Sequence, residues 1–247
     1  MPARHRLRKT ERAMTSAKIY NACADEVQSA MGGGYVSALA PGEIHVWLKG
    51  SGGLRGETRQ HSAEAVAAND ASQHFLFTVL AHYSGSPIAS LKIRRAPLGK
   101  PYLEGGPCFN LSHSAGATAI AISYEDVGID IEHPRRQTSS RDLARKYFTF
   151  SENFLLSRCP DSQVGRLFLR HWVSKEAITK LEGVGIYRGL RHAKTDHGIS
   201  PPAANYLGRK VCLAECGEEI GMIGALASWQ PAKVNVFVIG ENSAIIG

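Results

Sequence analysis

Residues 117–132 constrain the fold more than any other stretch of this chain. Ala117 to Tyr124 is an apolar run of strand character, Glu125-Asp126 is a turn candidate, and Val127 to Glu132 is the next strand. The pair reads as a β-hairpin, stopped by Pro134. Helical patterns lie on both sides of it. Residues 62–84 read as helix, with Phe75, Leu76, Val79, Leu80 and Tyr83 at helical spacing after Asp70 and Gly85 at the end. Residues 165–182 form a long amphipathic helix closed by Gly183 and Gly185. Arg141 to Phe148 has helical character, and Ser151 with Glu152 looks like a helix start. Ile44 to Leu48 reads as a strand, and two or three more finish the chain over 209–216, 221–228 and 233–239. This order predicts the α+β class: a basic tail over 1–14, an α+β half over 15–125 and a second over 126–247, with a cleft near their junction.

The tail holds Arg4, Arg6, Arg8, Lys9 and Arg12 against Glu11, which is more than half of the net charge of +7. Beyond it the chain is close to neutral and shows no aromatic–basic interleaving, so an idle solvated arm is expected and no nucleic-acid partner. No stretch approaches the ~18 apolar residues of a membrane span, and the basic start has no apolar run after it to make a secretory signal. Cys23, Cys108, Cys159, Cys212 and Cys216 are an odd number without a tight framework, which suits reduced thiols and a cytoplasmic location.

Chemistry concentrates at and just after the junction. Strand alternation puts Asp130 and Glu132 on one face, and Ile129 and Ile131 on the other. Side-by-side carboxylates repel unless a proton or cation intervenes, and oxygen ligands with open water positions suit magnesium. On the long helix Trp172, Glu176 and Lys180 share a face at i, i+4 and i+8, with Lys175 beside it. Asn110-Leu111-Ser112-His113-Ser114, near Gly116, reads as a polar turn that offers donors to phosphate. Lys100 in Gly99-Lys100-Pro101 sits in a rigid turn that lacks the residues of a Walker loop. Each motif alone has a plainer reading: a solvated strand edge, an intrahelical Glu176–Lys180 pair, a surface Lys175, a capped turn.

In this order and spacing the four motifs resemble the 4′-phosphopantetheinyl transferases. The Asp motif opens the second half of the chain, as in the larger, surfactin-synthetase-activating (Sfp) type, a monomer of two pseudo-symmetric α+β halves. The resemblance implies transfer of 4′-phosphopantetheine from coenzyme A to a serine of an apo acyl or peptidyl carrier protein. It implies Mg2+ on Asp130, Glu132 and Glu176, Glu176 as general base, and Lys180 on the pyrophosphate. Ser112 and His113 would bind coenzyme A phosphates, Lys100 would sit by the adenosine 3′-phosphate, and Lys175 belongs to the motif. One departure stands out. Where basic residues usually grip the 3′-phosphate, this chain has Asp70-Ala71-Ser72-Gln73-His74, which leaves His74, Arg55, Arg59 and His61 as cations. Two other readings fit parts of the pattern: a degenerate transferase that binds without turnover, and a basic nucleic-acid-binding or phosphodiesterase protein.

Overall fold

The strand Val127–Glu132 is buried on both faces, and the two faces serve different neighbours. The odd residues Val127, Ile129 and Ile131 pack into a core shared with Ile44, Val46, Leu48, Ala117, Ala119 and Ala121. Their faces belong to two separate five-stranded sheets, seen in a computed structural model that describes residues 18–23, 38–50, 62–136, 140–198 and 202–240.

The first sheet has the order β1-β12-β2-β6-β5, made of β1 (Lys18–Cys23), β12 (Lys233–Gly240), β2 (Glu43–Lys49), β6 (Ala117–Ser123) and β5 (Cys108–Ser114). β12 runs parallel to both of its neighbours, and the other pairs are antiparallel. The second sheet is antiparallel throughout, in the order β7-β11-β10-β9-β8. Its strands are β7 (Val127–Glu132), β11 (Ile223–Ser228), β10 (Arg209–Cys216), β9 (Ala203–Tyr206) and β8 (Ala193–Asp196). A two-stranded ribbon, β3 (Ile93–Arg95) and β4 (Pro101–Leu103), stands apart.

Helix α1 (Ser62–Ser84) covers the outer face of the first sheet, where Phe75, Leu76, Val79 and Leu80 meet Trp47, Phe109, Ile120 and Ile122. Helix α4 (Asp161–Glu182) covers the outer face of the second, joined by α2 (Ser140–Tyr147) and α3 (Phe150–Arg158). The short α5 (Ile186–Gly189) follows α4. The molecule is therefore α+β, with a sheet and one long helix, of 23 and 22 residues, in each unit. The step from β6 to β7 falls at residue 126, yet β12 returns from beyond the second sheet to complete the first.

Several local readings change. Residues 117–132 are not a hairpin, because β6 and β7 lie in different sheets. The outward amides of the edge strand β7 are taken instead by side chains of β5. Ile129 N donates to Asn110 Oδ1 at 2.9 Å, and Ile131 N to Ser112 Oγ at 3.2 Å. A side-chain seam thus closes two strand edges that would otherwise be open. Residues 108–114 are a strand and not a phosphate turn; the turn is Ala115-Gly116, both at positive φ (48° and 80°), as a two-residue primed hairpin requires. The cap of α3 is Thr149, whose hydroxyl and Glu152 form a reciprocal capping box. α4 begins at Asp161, four residues earlier than expected, after Pro160.

Candidate active site

Gly128 lets the two halves of the site meet. It lies on the even face of β7, and a Cβ there would stand 2.0 Å from the carbonyl oxygen of Ala177 and 2.5 Å from Leu181 N. α4 therefore rests directly on the strand backbone. Asp130 and Glu132 follow on the same face, and α4 brings Glu176 and Lys180 against them.

Each carboxylate is already engaged. Lys180 Nζ donates to Asp130 Oδ1 at 2.7 Å and to the carbonyl of Ile129 at 3.1 Å. Ser112 Oγ donates to the same Asp130 oxygen at 2.8 Å, and Ser114 Oγ to Glu132 Oε2 at 2.7 Å. Arg136 pairs with Glu132 Oε1 and lies over the Trp172 ring, 5.7 Å from its centroid. Of the alternate residues, Asn110 seals the β7 edge, Ser114 aims Glu132, and Ser112 does both.

The electrostatics remain unbalanced. Asp130 Oδ2 is buried without a hydrogen-bond partner. The Glu176 carboxyl is pushed up to about 7, first by burial and then by the charge of Asp130, against the pull of Lys180 and Arg136. Three acids face two cations across this seam.

Whether magnesium fits can be judged from these groups. Among the described residues no three His, Cys, Asp or Glu side chains are gathered closely enough to hold a metal ion. Lys180 and Arg136 hold Asp130 and Glu132 toward themselves. The free Asp130 oxygen and the repulsion felt by Glu176 are what a divalent cation would relieve, and the donors are all oxygen, so the residues fit the ion by their chemistry although they are not drawn together around one position.

The structure brings together Ser112, Asp130, Glu132, Glu176 and Lys180, and separates the other candidates from them. His113 is exposed on the opposite side of β5 from Ser112, the side where Phe109 and Leu111 meet α1. Lys100, at the turn of the ribbon, bonds Asp126 Oδ1 and the carbonyl of Leu181, both at 2.8 Å, at the C-terminal end of α4, one residue beyond Lys180. His74 is exposed on α1. Arg55, Arg59 and His61 lie outside the described residues. Lys175 is a correction as a cofactor-binding group. Its side chain is 0% exposed, and its ammonium is spent on Glu152 at 3.0 Å and on the carbonyls of Leu190 and Ala193. It points away from Glu176, as neighbours on a helix must. Sequence reasoning missed Arg136, although it follows Glu132 by four residues, and missed that Ser114 reaches Glu132. Period-two alternation of Asn110, Ser112 and Ser114 was the available signal.

Comparison with known proteins bears on this site. The profile of the 4′-phosphopantetheinyl transferase superfamily matches residues 126–227, which run from the turn before β7 through α4 to β11. The chain is 36% identical over 171 residues to the 4′-phosphopantetheinyl transferase HetI of Nostoc sp., covering 65% of this chain and 72% of that protein. It is 32% identical over 155 residues to the 4′-phosphopantetheinyl transferase gsp of Aneurinibacillus migulanus, covering 60% and 64%. With the 4′-phosphopantetheinyl transferase Sfp of Bacillus subtilis it shares 34% identity over 91 residues, 36% of this chain and 39% of that one.

Proposed function

Since the chain belongs to the 4′-phosphopantetheinyl transferase superfamily, in its larger Sfp type, and is a transferase of that kind, we propose that it moves phosphopantetheine from coenzyme A to a serine of an apo acyl or peptidyl carrier protein at the Asp130–Glu176 seam. The observation that supports this site is the raised Glu176 carboxyl beside the unpartnered Asp130 oxygen. The serine oxygen attacks the phosphorus on the pantetheine side of the pyrophosphate. The bond from that phosphorus to the bridging oxygen breaks, and adenosine 3′,5′-bisphosphate departs with the bridging oxygen.

Glu176 takes the serine proton; a carboxylate that titrates near neutrality is suited to accept one at working pH. Lys180 reaches Asp130 from one turn further along α4 and stands ready to meet phosphate charge. Ser112 and Ser114 orient the two strand acids. Asp130, Glu132 and Glu176 would hold Mg2+, whose chemistry when bound is to neutralise charge on the pyrophosphate. Positioning and electrostatics supply the acceleration in such transfers. In the same reading Lys100, His113 and His74 would meet the phosphates of the rest of coenzyme A.

The carrier would meet the exposed ridge of α2 and α3. Phe150 and Phe154 stack there at 6.4 Å, Arg158 lies 4.8 Å from the Phe154 ring, and Arg141, Arg145 and Lys146 add positive charge that complements an acidic helix. Working as a monomer in the cytoplasm is part of the same reading. No helix among the described residues is long and apolar enough to cross a membrane, and Cys108, Cys159, Cys212 and Cys216 are free. Incubation of folded protein with coenzyme A, Mg2+ and a panel of apo carriers should add one phosphopantetheine mass to at least one of them. Coenzyme A binding without transfer to any carrier would select the binding-only reading instead.

A further inference from the structure

Behind the site, on the other side of α4, lies a second polar cluster that the reaction does not touch. His171, Lys175 and Thr179 recur at i, i+4 and i+8, and all three are 0% exposed. Lys175 pairs with Glu152, itself 1% exposed. Glu152 also accepts from Thr149 N at 2.7 Å, Thr195 N at 2.8 Å and Thr195 Oγ1 at 3.0 Å. Because the Thr195 hydroxyl donates to Glu152, it accepts from His171 Nδ1 at 2.7 Å. Lys175 spends its remaining donors on the carbonyls of Leu190 and Ala193 and lies 5.5 Å from the centre of the Phe148 ring.

One charge pair thus ties the N-terminus of α3, the middle of α4, the segment after α5 and strand β8. A buried pair of this kind adds little stability over apolar residues of the same shape, because two ions must be desolvated. Its distinctive property is direction: an ammonium and a carboxylate with every lone pair and proton assigned allow one helix rotation only. Lys175 is the residue before Glu176, so any rotation or sliding of α4 that shifts Lys175 shifts Glu176 and Lys180 against β7. Gly128 makes that contact intolerant, since α4 touches the strand backbone there.

We propose that Glu152 and Lys175 are positioning residues for phosphopantetheine transfer, with Thr195 as their bracket, setting the angle at which α4 presents Glu176 and Lys180. The inference rests on the reading that Glu176 acts at the site. The test uses the full chain as Lys175→Met, Lys175→Met with Glu152→Gln, and Thr195→Val, with Glu176→Ala as control. Melting temperature, kcat, and KM for carrier are measured at one temperature well below every transition. The double variant, which removes both charges, should melt above the single Lys175→Met variant. It should still lose about a hundredfold in kcat, with carrier KM unchanged, since a small misplacement of reacting groups has that size of effect. Thr195→Val should lose several-fold in kcat and fold normally. Recovery of kcat in step with melting temperature would make the pair merely structural and overturn the proposal, as would full kcat in Thr195→Val should the double variant not fold. An active Glu176→Ala would instead remove the reading of the site itself.

Discussion

Two consecutive residues of α4 face opposite worlds. On one side Lys175 is buried with its charge met by Glu152 and by carbonyls on either hand, and the carboxylate it pairs with accepts bonds from three further donors. On the other side Glu176 is nearly as buried but sits beside another acid, and Asp130 keeps one oxygen with no partner. Both sides are polar, but the rear is sealed while Glu132, Lys180 and Arg136 at the front keep partial exposure. The difference lies in the charges: the rear ion pair of Lys175 and Glu152 is met in full by the chain itself, although His171 Nε2 and Thr179 Oγ1 beside it have no partner, whereas the front is left short of positive charge. A buried polar set that the protein completes holds structure in place, and one that it leaves incomplete awaits a ligand.

The contrast can be broken by substitution. The largest effect on stability should come from the finished side. Lys175→Met alone leaves Glu152 charged and buried, and should lower unfolding free energy by about 3–5 kcal/mol, read by denaturant titration. On the unfinished side Asp130→Ala should cost about 100- to 1000-fold in transfer rate, with a change in melting temperature far smaller than that of Lys175→Met. Full activity in Asp130→Ala would end the assignment of this seam.

Glu176→Gln should go the other way and stabilise the metal-free protein by about 2 kcal/mol at pH 8. The sign follows from the raised carboxyl. Folding favours the protonated form, so wild-type stability is whole below about pH 4.5 and erodes as pH rises through about 7. The gain should therefore vanish by pH 4; a gain independent of pH would show that repulsion at Glu176 is not its source.

The last effect is a slope. Burial holds His171 down at about 3 and His197 at about 4, so both are neutral in the fold and both take up protons on unfolding. Stability from these groups is complete above about pH 6.5 and falls as pH drops toward 4, by about 1.4 kcal/mol per pH unit for each histidine. Removing His197 as His197→Asn should flatten the acid limb of the melting-temperature profile by about half.

Much of the site could be read from sequence because its signals are periodic. Asp130 and Glu132 share a face by strand alternation, and Glu176 and Lys180 by helical spacing; the structure adds that Gly128 brings those faces together. What could not be read is which neighbour a strand chooses. β6 and β7 are consecutive and apolar, and nothing in their residues says that Asn110 and Ser112 of another strand supply the bonds a hairpin partner would have made. β8 and β9 were missed because Ala193-Lys194-Thr195-Asp196 and Ala203-Ala204-Asn205-Tyr206 are too short and too polar to announce strands. Lys175 misleads for a different reason. A lysine on a helix is ordinarily solvated, and only the stripe His171, Lys175, Thr179 hinted that a polar face was turned inward.

The parallel pairing of β12 between β1 and β2 has a consequence for how the molecule is made. A chain emerging from the ribosome delivers β2, α1, β5 and β6 early, yet the first sheet has no strand between β1 and β2 until residue 240 has left the tunnel. The nascent first sheet must wait, with the apolar flank of β2 bare, for the entire second sheet to be synthesised. The two units therefore mature together, and a gene cut at residue 126 would leave the first fragment without β12 and the second with β12 unpaired.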